Sequence, residues 1–145
     1  MPTCTCTSER GTIPPESRAA VAGAITEIHH EVARAPRYVV QVVFADLEPR
    51  TIYLAGHPVE TGHVWIRADI RAGRTDQQKR EMLRRLTTEV GEILGLPPES
   101  VWVYLSDIPG PTVAEYGRPL PEPGQEDAWF AALPAELQGR LKPIR

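Results

Sequence analysis

The sequence predicts an α/β fold: an α+β two-layer sandwich in which two βαβ units form a four-stranded mixed sheet with two helices on one face. Three observations carry this. A strand–helix–strand order runs through the first part of the chain and recurs about 60 residues later. Both helical stretches repeat apolar residues at spacings of three and four. The strand stretches alternate, or are dense in β-branched residues.

The elements follow in order. Met1-Pro2-Thr3-Cys4-Thr5-Cys6-Thr7 reads as a short strand, and Ser8 to Ile13 as a polar connection. Pro14-Pro15-Glu16 opens a helix, since proline suits the first turn and Glu16 complements the dipole there. Val21, Ile25, Ile28 and Val32 form its apolar stripe, and Ala35-Pro36 ends it. Tyr38 to Phe44 is nearly continuous in apolarity, which predicts a central strand. Ala45 to Gly62 reads as connecting structure with a short strand at Thr51 to Leu54.

The second unit starts with the alternating strand His63 to Ile70. Thr75-Asp76-Gln77-Gln78 is a capping-box signature. It starts a helix carrying Met82, Leu83, Leu86, Val90, Ile93 and Leu94, which Gly95 and Pro97-Pro98 stop. Val101 to Leu105 is the next strand, and a loop rich in proline and glycine follows from Asp107 to Gly124. Glu126 to Leu133 and Pro134 to Leu141 read as short helices that dock through Trp129, Phe130, Leu133, Leu137 and Leu141. A chain of 145 residues is expected to form one domain, with βαβ units at about 2–44 and 63–106 and a C-terminal loop and helices at 107–145. The two strands of each unit should be parallel, joined by a right-handed crossover. Two helices cover only one sheet face, so the other predicts oligomerisation.

Composition narrows the function. A net charge of −3 gives no electrostatic case for nucleic acid or an acidic membrane surface. No apolar run approaches a membrane span, and the start lacks a signal-peptide pattern. Cys4 and Cys6 share one strand face at a separation poor for a disulfide, and no second Cys or His pair at zinc spacing accompanies them. Buried thiols in a reducing cytoplasm are expected.

Several residues could carry chemistry. Removal of Met1 would leave Pro2 as a secondary amine, in the class whose unperturbed pKa is roughly 7.7–8.0. Such a group exchanges protons near neutrality, which few side chains do. Arg71 and Arg74 frame a turn through Gly73 into a helix start, a setting suited to a carboxylate or phosphate. His29 lies beside the apolar stripe of the first helix. Tyr104 ends a strand and Glu115 sits in the following loop; a phenol and a carboxylate there can orient and deprotonate a water. Taken singly, each has an ordinary structural explanation. His57, His63, Tyr116 and Arg118 carry no assignment.

Together the set resembles the tautomerase superfamily, and more narrowly the cis-3-chloroacrylic acid dehalogenases. The resemblance rests on Pro2, on Ala24-Ile25-Thr26-Glu27-Ile28-His29, and on Arg71-Ala72-Gly73-Arg74. It continues through Val101-Trp102-Val103-Tyr104, Glu115-Tyr116-Gly117-Arg118 and Pro123-Gly124-Gln125-Glu126 with Trp129-Phe130. The resemblance implies a cytoplasmic homotrimer that needs no metal or organic cofactor and acts on a small unsaturated carboxylate. It implies that cationic Pro2 gives a proton to C2 of a cis-3-haloacrylate. Arg71 and Arg74 would hold the carboxylate, with His29 assisting. Tyr104 and Glu115 would activate water for attack at C3, and the halohydrin would collapse to malonate semialdehyde and halide. Two alternatives stay open. Neutral Pro2 would be a base suited to enol–keto tautomerisation of phenylpyruvate-like substrates, and the trimer could be a non-catalytic binding protein.

Overall fold

In the computed structural model, which describes residues 2–144, alternation along Thr3–Glu9 builds strand β1. Cys4, Cys6 and Ser8 turn inward and are buried, while the threonines face the other side. Helix α1, Pro15–Ala33, starts with proline in its first turn and buries Val21, Ile25 and Ile28. Strand β2 spans Gln41–Leu47 and pairs parallel to β1, Thr3 opposite Gln41. A tight hairpin of β3, Tyr53–Leu54, and β4, His57–Pro58, precedes β5, Val64–Arg71. Helix α2, Asp76–Leu94, leads to β6, Val101–Ile108, which is parallel to β5. The β1–β5 pairing is antiparallel, so the four-stranded sheet is mixed, in the order β2-β1-β5-β6.

The core lies between the sheet and the two helices. Ile66, Ala68, Met82, Leu86 and Val90 are fully buried there with Cys4, Cys6 and the α1 stripe. Burying an aliphatic side chain of this size contributes about 1.5–3 kcal/mol. The capping box reads out as the sequence predicts. Gln78 N donates to Thr75 Oγ1 at 3.1 Å, and Thr75 N donates to Gln78 Oε1 at 3.0 Å. Thr75→Ala is expected to cost about 1 kcal/mol, read as a fall in Tm of about 2–4 °C.

A smaller core docks the C-terminal part. Hairpin β7, Ala114–Glu115, with β8, Arg118–Pro119, is followed by α3, Glu126–Ala131, and α4, Ala135–Leu141. Trp129, Phe130, Leu133 and Leu141 bury against Tyr38 and Val39 with Leu120, and Leu137 is partly buried there. Trp129 Nε1 donates to the Pro119 carbonyl at 2.8 Å, which ties hairpin to helix.

Two expectations need correction. The strand expected at Tyr38 to Phe44 begins later, because Arg37–Val39 forms a 3₁₀ turn after Pro36. It is also an edge strand, not a central one. Its near-continuous apolarity has another origin. Val42 and Phe44 pack toward the helices, whereas Val43 lies on the open sheet face and is exposed. Trp102 and Tyr104 are exposed on that same face. The short strand expected at Thr51 to Leu54 is the first arm of the β3–β4 hairpin.

Candidate active site

The mixed topology brings separate chain segments to one end of the sheet. The start of β1 and the start of β2 lie beside the ends of β5 and β6. The last turns of α1 and the first turn of α2 therefore meet at the same end.

Pro2 sits at that end and is buried. Its carbonyl accepts from Gln41 N at 3.0 Å, which anchors the start of the chain against β2. The expected removal of Met1 falls outside the described residues. His29, near the end of α1, is fully buried, with Nε2 at 3.2 Å from Cys4 Sγ. Burial first, then the charges of the amino terminus and Arg74, push its imidazole down to about 3. It is therefore a neutral ring at physiological pH. Burial also pushes the Cys4 thiol up, with the nearby Cys6 and Asp69 adding to the rise. The His29–Cys4 contact joins two neutral groups.

Arg71 closes β5 and is 3% exposed. Arg74 follows across Gly73, whose φ of +110° belongs to glycine. A Cβ added at Gly73 would come 3.3 Å from Pro123 Cγ, so the C-terminal segment packs directly on this turn. Burial and the Arg71 charge hold the Arg74 guanidinium below its ordinary range, while Glu126 and Asp107 oppose them. An arginine stays charged under such shifts. Both arginines line a cavity of about 290 Å³ beside the first turn of α2.

Glu115 lies on β7, positioned by a turn with Tyr116 and Gly117 at φ of 52° and 78°. It lines a larger cavity of about 690 Å³ with Tyr38, Gln41 and Tyr116. Burial raises its carboxyl above the usual range, against the amino-terminal charge and Arg71. Arg74 acts electrostatically on His29 and Arg71 on Glu115, while the arginine pair and Glu115 line separate cavities.

Tyr104 is not among these residues within the chain. It stands on the open sheet face opposite Arg67, 51% exposed, with its ring edge-on to Trp65 at 5.6 Å. The unassigned residues find structural places. Tyr116 donates its hydroxyl to the Tyr38 carbonyl and stacks edge-on with Tyr38 and Trp129. Arg118 donates to the Ala132 carbonyl. His63 is buried against Trp102, and His57 lies exposed in β4. Sequence reasoning gave Glu126 no role. It pairs with Arg71 across 55 positions of chain. Its one local signal is an acid at a helix start just after Pro123-Gly124.

This four-stranded mixed sheet with two helices on one face is the fold of the tautomerase superfamily, to which this chain belongs. The family described as putative oxalocrotonate tautomerase enzyme matches residues 1–132. The crystal structure of N1, a member of the cis-3-chloroacrylic acid dehalogenase family, is 51% identical, with a TM-score of 0.95 over 98% of this chain and 99% of that one. An asymmetric trimer of a fused 4-OT, F6, is 26% identical, with a TM-score of 0.74 over 81% of this chain and 94% of that one. The macrophage migration inhibitory factor of Toxoplasma gondii, 14% identical with a TM-score of 0.69 over 81% of this chain and 99% of that one, shares the fold. No curated protein matches the chain at a significant level. Among the described residues, no helix is long and apolar enough to cross a membrane.

Proposed function

We propose that this protein is a cofactor-independent hydrolytic dehalogenase of cis-3-haloacrylates that works in the cytoplasm as a homotrimer. The observation that carries the reading is Glu115: a desolvated carboxyl that lines a cavity within electrostatic reach of Arg71. A tautomerisation moves one proton between carbon and oxygen and has no use for a second base. Addition of water does.

Arg71, Arg74 and the neutral His29 hold the substrate carboxylate. Their positive charge draws electron density from C3 toward the carboxylate end. The cationic Pro2 amine, freed by loss of Met1, gives its proton to C2. Ionised Glu115 takes a proton from water as the oxygen attacks C3. The product is a 3-halo-3-hydroxypropanoate, which loses halide and a proton to give malonate semialdehyde.

Tyr104 enters from a second subunit. Its exposure on the open sheet face, which also carries Trp102 on the same strand and Val43 on the opposite edge strand, supports a partner there. The fused 4-OT relatives form trimers. In such an assembly the Tyr104 phenol of one subunit would help orient water in the site of its neighbour. The free thiols of Cys4 and Cys6 agree with a reducing compartment.

Enol–keto tautomerisation has one observation in its favour. Pro2 is buried, burial stabilises a neutral amine, and a neutral amine is a base. Halide release from cis- and trans-3-chloroacrylate separates the readings, using protein whose intact mass shows Met1 removed. Release from the cis isomer alone is expected. Silence toward both isomers, with turnover of a phenylpyruvate enol, would establish the tautomerase reading instead.

A further inference from the structure

Arg71 is the most constrained charged side chain of the site. Its Nη1 donates to the Pro121 carbonyl at 2.8 Å and its Nη2 to Glu126 Oε1 at 2.5 Å. Its Nε is buried and has no partner among the described residues. Gly110 backs its aliphatic stem, with an added Cβ there meeting Arg71 Cδ at 3.5 Å. The segment from Pro121 to Glu126 therefore grips this one guanidinium, and Pro123 braces the turn that leads to Arg74.

The chemistry asks for such a grip. Two desolvated guanidinium groups repel, and Arg71 already weighs on Arg74. Glu126 offsets that repulsion on both. Burial disfavours its charge, yet the Arg71 hydrogen bond and the backbone N–H groups of Glu126 and Gly124 keep its carboxyl below the ordinary range. Its negative charge is fixed on the far edge of Arg71. Arg74, by contrast, makes no hydrogen bond or ion pair among the described residues and keeps its donors for a ligand.

We propose that Glu126 is a positioning residue of the carboxylate site: it fixes Arg71 by the Nη edge beside the cavity that both arginines line, and leaves the Arg74 fork to meet an incoming carboxylate. This rests on the reading of Arg71 and Arg74 as a carboxylate clamp.

The test uses propionate, a carboxylate with no alkene or halide to turn over, titrated by NMR into the full-length protein. Glu126→Ala is expected to weaken the propionate Kd about 10-fold, and Glu126→Gln, which keeps an acceptor but no charge, about 3-fold. KM for cis-3-chloroacrylate should rise in parallel while kcat stays within about 2-fold. A merely structural Glu126 would lower Tm and leave the propionate Kd of the folded protein unchanged; that result overturns the proposal. So does an E126Q protein that binds propionate as tightly as the parent or more tightly, since Glu126 would then only compete with ligand. E126Q carries the test alone if E126A does not fold. A parent protein with no affinity for propionate overturns the clamp itself, an outcome distinct from the failure of Glu126 alone.

Discussion

Glu115→Gln is expected to lower kcat for halide release from cis-3-chloroacrylate by about 10²–10⁴-fold, the range for loss of a general base. Tautomerisation of a phenylpyruvate enol should fall by no more than about 10-fold, because that reaction needs one proton shuttle and no activated water. The pH profile gives a second reading of the same group. A base must be ionised, and burial lifts the Glu115 carboxyl above the ordinary carboxylate range. The acid limb of kcat/KM should therefore lie above that range in the parent protein and vanish in the variant. Stability moves the opposite way. A carboxyl raised on folding binds more protons folded than unfolded, so stability falls as pH rises from the unfolded to the folded pKa. Above the folded pKa the penalty is complete. Glutamine carries no charge to desolvate, so the variant should melt no lower than the parent at neutral pH. Lost activity with a retained or raised Tm would exclude misfolding as the cause. Equal losses in both reactions would remove the water-activating role from Glu115.

What could be read from sequence tracks the range of the signal. The two helices and their stops rest on local chemistry: the Thr75–Gln78 box, Gly95 in the left-handed region, and proline in the first turn of α1. Each was legible because its cause lies within a turn or two of its effect. The parallel pairings followed from the βαβ order, since a helix between two strands leaves little choice. Strand order was harder. Val43 looked central by composition, but the sequence cannot say whether an apolar face is covered by its own chain or by another. The same limit applies to Tyr104, whose residue type suggested chemistry while its face of β6 was set by alternation from Val101. Hairpin β7–β8 was missed although Tyr116-Gly117 is a turn signal, because its two-residue arms are too short to show alternation. The Arg71–Glu126 pair was out of reach for another reason. Its partners meet only because the C-terminal segment folds back over the ends of β5 and β6, and no local pattern encodes that return.

Pro2→Ala should reduce halide release by at least about 100-fold while leaving the fold intact. The bond that anchors this position is made by the backbone carbonyl to Gln41 N, so alanine keeps it. What changes is the amine. Proline supplies a secondary nitrogen fixed by its ring, with one orientation for the proton it gives. Alanine supplies a primary nitrogen of similar basicity on a rotatable bond, and misplacement alone costs orders of magnitude when a proton must reach one carbon. The variant is thus a test of placement more than of pKa. Retention of Met1 is the matching test of basicity, because it turns the Pro2 nitrogen into an amide that accepts no proton. Protein bearing Met1 should release no halide even though every side chain of the site is present. The environment then decides what the free amine does. Only the cationic amine can protonate C2. The activity of the parent should accordingly fall at high pH as the amine loses its proton. A variant at Pro2 that still releases halide at the parent rate would take the amine out of the mechanism. One that loses turnover yet keeps its propionate affinity would place the amine in the chemical step, with Arg71 and Arg74 left to bind.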